Sequence, residues 1–480
     1  MNWKPDKASH SPVYVQIAEH FEGRMRNGEY PSGSRLPSER ALASQLGVNR
    51  STIVSAYDHL ASLGLVHRVK GLGTLASARS VCEQDTKRVP NWEQYAKSGS
   101  LHPNDPITQR IHAVLGSDKS YINFAIGELS SDLFPIELMQ HAHSLIEVSQ
   151  YLGYEHMQGN EGLRESISRH LRSHRGFASS ASSILVTSGA QQAIQLIVQG
   201  LLQPGDAVAI EDPSYSFSLP IFRSAGLRTC LLPVDHDGID PEQLIPLYRR
   251  HRIKMVFINP TFHNPTGATM SMERRRRLLE LSTHYGFAIV EDDPYSLTGF
   301  GREPAGTLKS LDRDGSVLYV SSLSKIVSSG LRIGWIAGPQ SVIRRLTDAK
   351  QQLDFGHANL PQWIAARLLD SSRMDEHLSR LRAGLQSKLL RTAEALRSEL
   401  GDQVLYRLPQ GGVHLWCELN GRWDELGLFR RGIDNGVVVT PGSTLGSTSR
   451  HVRLTYSRVN DEWIGPGIER FAEAYRQSLN

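Results

Sequence analysis

Ser322-Leu323-Ser324-Lys325, with Arg332 shortly beyond, brings an amine, two hydroxyls and a guanidinium into one short stretch. A lysine amine can form a Schiff base with an aldehyde, while serine hydroxyls and an arginine hold a phosphate by hydrogen bonds and charge. Alone, the tetrapeptide reads more readily as an ordinary polar turn or an exposed lysine.

Other segments supply what such chemistry needs. Ser188-Gly189-Ala190-Gln191 follows a strand-like run and opens a helix, where backbone N–H groups can cradle an anion, although a structural turn explains it too. Glu291-Asp292-Asp293-Pro294-Tyr295 ends another strand-like run. A carboxylate there can stabilise a protonated pyridine nitrogen and a tyrosine hydroxyl can reach a phenolic oxygen; an acidic turn with a packed tyrosine is the plainer account. Asn264-Pro265-Thr266-Gly267 adds a polar turn, and Tyr215 a flat face for stacking. Independent surface turns do not readily explain this ordered combination with Lys325 and Arg332.

The elements that must position these groups follow from apolar patterning. Residues 183–187, 206–210, 254–258, 288–291 and 317–320 read as buried strands alternating with helices such as 191–202, which predicts a large α/β domain. Further on, 375–400 reads as a long helix, and 412–416, 437–440 and 452–456 as strands of a smaller lobe.

The chain begins differently. Ser11 is placed to cap a helix with Pro12 at its first position, and Val13, Ile17, Phe21 and Met25 give that helix one apolar stripe. A second helix starts around Pro37 and Glu39 and stops at Gly47; a third starts near Asn49. In the third, Ile53, Ala56, Tyr57 and Leu60 pack inward, while Arg50, Ser51 and Thr52 occupy its exposed start. Residues 65–74 read as two short strands joined by a basic turn, a wing. A DNA-reading module fits this order, and a small helical protein-interaction module shares its apolar pattern.

At 480 residues the chain exceeds one core's usual growth, so at least two domains are expected. They are 1–77, a linker over 78–118 with local helix near 107–115, and 119–480. Trp92 and Tyr95 offer the linker a means of docking on either domain. Cys82, Cys230 and Cys417 form neither a disulfide framework nor a metal-ligand spacing, and no apolar run is long enough for a bilayer. A cytoplasmic protein without metal is expected. The net charge of +4 permits nucleic-acid binding without demanding it.

Residues 12–77 resemble the winged helix-turn-helix domain of GntR-type bacterial regulators, through Leu36-Pro37-Ser38-Glu39-Arg40, Leu46-Gly47-Val48-Asn49-Arg50-Ser51-Thr52 and Gly71-Leu72-Gly73-Thr74. The resemblance implies phosphate or base-edge contacts for Arg40 and Arg50 and major-groove positions for Ser51 and Thr52. It places Lys70, Gly71 and Gly73 near the minor groove.

Residues 119–480 resemble a fold-type I aminotransferase that uses pyridoxal 5'-phosphate, and the whole chain resembles the MocR subfamily of GntR regulators. By that resemblance Lys325 carries the cofactor, Asp292 pairs with its pyridine nitrogen, and Tyr295 and Asn264 contact its ring oxygen. Tyr215 stacks on the ring; Ala190, Gln191, Ser322, Ser324 and Arg332 hold its phosphate. Tyr154, in Tyr154-Glu155-His156-Met157-Gln158-Gly159, reaches the phosphate of an adjacent subunit, which implies a homodimer. Arg453, in His451-Val452-Arg453-Leu454-Thr455-Tyr456-Ser457, takes a substrate or effector carboxylate. One departure is Ser329, where related sequences often have proline.

The implied function is a pyridoxal-phosphate-dependent regulator that binds operator DNA and responds to an amino acid, an amine or the cofactor. An active aminotransferase with an accessory DNA-binding domain is the alternative, and physiological turnover stays open.

Overall fold

The computed structural model describes residues 3–6, 9–77, 90–146, 153–301, 306–446 and 450–479. Cys82 and the charged run 78–89 of the expected linker lie outside the described residues. The chain divides into two compact units, Met1–Ser100 and Leu101–Asn480.

The first unit contains helices Val13–Arg26, Glu39–Leu46 and Arg50–Ser62, followed by the antiparallel hairpin Val66–Val69 with Gly73–Ala76. The four-residue apolar repeat sets the packing. Ile17 and Phe21 are buried against Leu42, Ile53 and Leu60, with Val13 and Met25 at the margin. Each large apolar side chain so withdrawn from water contributes about 1.5 to 3 kcal/mol.

The helix starts differ slightly from expectation. Pro12 has extended backbone (φ −55, ψ 141), so the first helix begins at Val13 and Ser11 provides no side-chain cap. The Ser11 carbonyl instead accepts from Gln16 Nε2 at 2.7 Å. In the second helix the start is fixed by Ser38, whose Oγ accepts from the Ala41 N–H at 3.3 Å. Gly47 ends that helix in the left-handed region, at φ 65.

Helix Trp92–Ser98 falls in the first unit, where Trp92 and Tyr95 are exposed with ring centroids 5.7 Å apart. Helix Pro106–Leu115 belongs to the second unit. Asp105 caps it, and Ile111 and Val114 pack against Ala125, Phe429 and Val438.

The second unit is built on an eight-stranded sheet. Its order is Ile184–Thr187, Gly334–Ala337, Val317–Ser322, Ala288–Asp292, Met255–Ile258, Ala207–Asp212, Arg228–Asp235 and Gly238–Ile239. The five strands from Val317–Ser322 to Arg228–Asp235 pair in parallel. Gly334–Ala337 is antiparallel to both its neighbours. Apolar residues of helix Gly189–Leu201 cover one part of the sheet, and those of Met272–Tyr285 another.

A four-stranded antiparallel sheet, ordered Val404–Tyr406, His414–Leu419, His451–Thr455 and Thr440–Pro441, forms the smaller lobe with helices Met374–Leu400 and Asp461–Ser478. The single strand expected over 437–440 is two. Val437–Val438 pairs in parallel with Ile122–Asn123, while Thr440–Pro441 pairs with Val452 and Arg453. Pro441 has no N–H to give a second neighbour, which confines its strand to the edge.

Candidate functional site

Several chemistry-bearing residues end parallel strands or begin the segments that follow. Asp292 closes Ala288–Asp292, Ser322 closes Val317–Ser322, and Ala190 and Gln191 open the helix after Ile184–Thr187. Open α/β sheets bind ligands in the crevice at these carboxyl ends. Here the crevice is a cavity of about 550 Å³. Its walls bring together Ala190, Gln191, Tyr215, Asn264, Asp292 and Tyr295 with Ser322, Ser324, Lys325, Arg332 and Arg453.

Lys325 ends the short 3-10 turn Leu323–Lys325, capped by Ser322 Oγ, which accepts from the Ser324 N–H at 3.4 Å. Its Nζ donates to the Gly127 carbonyl. The side chain is half-buried and borders the cavity. Burial, then the charge of Arg453, brings the amine down to about 8, against the opposing pull of Glu128 and Asp292. The lowered value raises the neutral, nucleophilic fraction of that amine far above that of a free lysine, although most of it stays cationic at neutral pH.

Asp292 has the opposite problem. Burial, then Asp293 and Glu211, pushes its carboxyl up to about 7, while Lys325 opposes the shift. Its Oδ1 is buried without a hydrogen-bond partner. Asn259 fixes the backbone beneath it, donating from Nδ2 to the Asp292 carbonyl at 2.9 Å and from its N–H to Glu211 Oε2 at 2.7 Å.

Arg453 donates from Nη1 to Asn264 Oδ1 at 3.0 Å and from Nη2 to the Ala125 carbonyl at 2.5 Å and Thr440 Oγ1 at 3.2 Å. Its Nε is partnerless. Burial lowers this guanidinium to about 10, which leaves it cationic at neutral pH. Tyr295 is buried, with its hydroxyl 3.2 Å from His414 Nε2, and burial pushes that hydroxyl upward. Tyr215 donates its N–H to the Asn264 carbonyl at 3.1 Å.

Arg332 has left-handed backbone (φ 55) and donates from Nη2 to the Ser188 carbonyl at 2.8 Å. Two glycines permit this approach. A Cβ on Gly189 would lie 2.8 Å from Arg332 Nη2, and one on Gly334 would lie 2.7 Å from the Gly189 carbonyl carbon. The start of helix Gly189–Leu201, where the first N–H groups have no partner within the helix, thus lies beside a fixed cation, which is the chemistry of a phosphate cradle. A pyridinium nitrogen suits the partnerless Asp292 Oδ1, so the donor set fits a phosphorylated pyridine aldehyde.

Tyr154 stands apart: it is 74% exposed, packs edge-on against Phe355 at 5.2 Å and does not line the cavity. Sequence reasoning misses His414, Gly127, Asn259 and Glu211. A histidine directly after Gly411-Gly412-Val413 at a strand start is the one signal that could have found His414.

In the first unit Arg40, Arg50 and Ser51 are exposed and Thr52 half-buried. Arg50 donates to Glu39 Oε2 from Nε at 3.1 Å and Nη2 at 2.8 Å. Arg68 lies 3.6 Å from the same carboxylate and 3.0 Å from Asp58. Lys70, Gly71 and Gly73 are exposed at the hairpin tip, where Gly71 has φ 85 and Gly73 φ 97.

Together the two units define a winged helix-turn-helix region joined to a mixed α/β domain of the fold-type I aminotransferase class. Residues 119–471 match "Aminotransferase class I and II", and residues 13–75 match "Bacterial regulatory proteins, gntR family". The chain belongs to the class I and II aminotransferase family, and the fused gntR-family region gives it the organisation of the MocR-type regulators.

Two Bacillus subtilis relatives share nearly the full length. The uncharacterized HTH-type transcriptional regulator YdfD is 37% identical, covering 95% of each chain. YisV, described in the same words, is 36% identical, covering 99% of each. A crystal structure of Pyrococcus horikoshii kynurenine aminotransferase, in complex with PMP, KYN as substrates and KYA as products, has a TM-score of 0.74 and 30% identity. The match covers 81% of this chain and 99% of that one. Among the described residues no helix is long and apolar enough to cross a membrane.

Proposed function

We propose that this chain is a transcriptional regulator that binds operator DNA as a homodimer, holds pyridoxal 5'-phosphate, and responds to an amino acid, an amine or the cofactor itself. The observation that carries the reading is a buried, partnerless Asp292 oxygen in the same cavity as the Lys325 amine. The names of the two Bacillus subtilis relatives support the regulatory half.

Lys325 holds the cofactor covalently and Asp292 takes its ring nitrogen. Tyr295 and Asn264 meet the ring oxygen, and Tyr215 covers the ring. Ala190, Gln191, Ser322, Ser324 and Arg332 take the phosphate. Bound there, the cofactor supplies an electron sink joined to the amine nitrogen. Arg453 orients the carboxylate of an amino-acid effector through its planar guanidinium. The exposed Tyr154 is left to an adjacent subunit. In the DNA-binding region Arg40, Arg50, Ser51 and Thr52 meet the major groove, and Lys70, Gly71 and Gly73 the minor groove. An effector shifts regulation only through unequal affinity for two arrangements of the protein.

The test joins absorption spectroscopy with DNA selection from random duplexes, on wild type and Lys325→Ala. Wild type gains a borohydride-fixable chromophore that candidate amines alter, and it selects a specific duplex; Lys325→Ala loses the fixable chromophore. Absence of both ligand-dependent spectra and specific DNA binding in wild type overturns the proposal. The complete polar set of the cavity also favours a second reading, an active aminotransferase. Efficient oxo-acid formation without a preferred duplex would decide for it.

A further inference from the structure

His414 stands at the first position of strand His414–Leu419, opposite Thr455 in the neighbouring strand. The side chain is buried and lines the cavity. Its Nδ1 lies 3.0 Å from Thr455 Oγ1 and its Nε2 lies 3.2 Å from the Tyr295 hydroxyl. A Cβ on Gly127 would be 3.1 Å from the ring's Cε1 and 3.6 Å from Lys325 Nζ, so that glycine leaves room for imidazole and amine along one wall.

Burial, followed by the charges of Arg453, Lys325 and His263, holds this histidine well below its ordinary value. It is therefore neutral, with one N–H and one lone pair. That gives a hydrogen-bond chain through it a direction. A Tyr295 that donated to Nε2 would spend its only proton inside the wall. If Thr455 donates to Nδ1 and Nε2–H donates to the Tyr295 oxygen, the tyrosine proton is free to point into the cavity.

We propose that His414 is a positioning residue that makes Tyr295 a hydrogen-bond donor to the ring oxygen of the bound cofactor, with Thr455 setting the imidazole tautomer. The inference rests on the cofactor reading above. A donor on that oxygen draws away electron density that would otherwise hold the proton of the lysine–cofactor nitrogen. Losing the donor therefore raises the pH at which that proton leaves. The charges around the lysine are Arg453, Glu128, Asp292 and Arg332, which every variant below retains.

The full chain loaded with pyridoxal phosphate is titrated by absorption. His414→Phe raises the midpoint of the spectral transition by about one pH unit, the scale of one neutral hydrogen bond. Tyr295→Phe raises it equally, and the double variant goes no further. His414→Gln, which keeps an N–H donor, restores most of the wild-type midpoint, and Thr455→Val gives a partial rise. An unmoved midpoint in His414→Phe, or additive shifts in the double variant, overturns the inference. If His414→Phe fails to fold, an unmoved midpoint in Thr455→Val does so instead. A wild-type chain that forms no fixable chromophore overturns the cofactor reading and this inference with it; one that loads but ignores position 414 overturns this inference alone.

Discussion

Arg50 and Lys325 are cations in opposite settings. The first stands at an exposed helix start and is neutralised by Glu39, whereas the second forms part of a cleft wall beside partners it cannot escape. Charges in water are screened by salt and act nearly independently. Charges in a cleft alter one another, as Asp292 and Lys325 do. The proposed DNA-binding face should therefore respond in graded steps and the cavity as a coupled set.

The sharpest way to break the contrast is Phe21→Ala. It removes a fully buried ring from the small first core and should cost about 3 to 5 kcal/mol. DNA binding should vanish while the chromophore in the second unit survives, followed by parallel binding and absorption measurements. Simultaneous loss of both would show that the units do not fold independently.

Asp292→Asn sharpens the cavity side. The native carboxyl stays protonated up to about 7, whereas its ordinary value is 3.8. The unfolded chain thus binds fewer protons in that window, and cofactor-free stability falls as pH rises through it. The asparagine variant should flatten this fall in thermal melts and gain about 1 to 3 kcal/mol at pH 8, while binding the proposed cofactor more weakly. Glu291, also pushed up to about 7, leaves a residual slope over the same range.

Smaller effects are expected at the exposed pair. Arg50→Ala should weaken the selected duplex by about 1 to 3 kcal/mol if the arginine reads a base edge. Glu39→Gln should free Arg50, leave Arg68 paired with Asp58, and tighten non-specific DNA binding by roughly two- to fivefold, an effect that added salt removes. Gel shifts across a salt series distinguish the two.

The same contrast governs what could be read from the chain. The stripe through Ile17 and Phe21 and the strands that end at Asp292 and Ser322 were legible because a period or an apolar run encodes them locally. Gly334–Ala337 was not, since four apolar residues become an antiparallel strand only by fitting between two neighbours. The break at 437–440 likewise depends on distant partners, Ile122 on one side and Val452 on the other. In the cavity, Lys325 and Asp292 stood out through ordered motifs, and Arg453 only through the family resemblance. His414 did not, because a histidine among buried strand residues looks like core until Tyr295 and Thr455 are beside it. Tyr154 is beyond the reach of one chain, since its expected role requires another subunit.

Arg332 carries a longer consequence. An arginine at φ 55 occupies backbone that glycine enters at no steric cost, a preference of about 1 to 2 kcal/mol. A glycine substitution would relax the loop while deleting the guanidinium that reaches the Ser188 carbonyl. Stability alone therefore pulls this position away from arginine, and only a use for the guanidinium resists that pull. Within a lineage the residue would behave like a fuse: in a descendant whose cavity had no use for the proposed phosphate, position 332 would be among the first in its wall to drift.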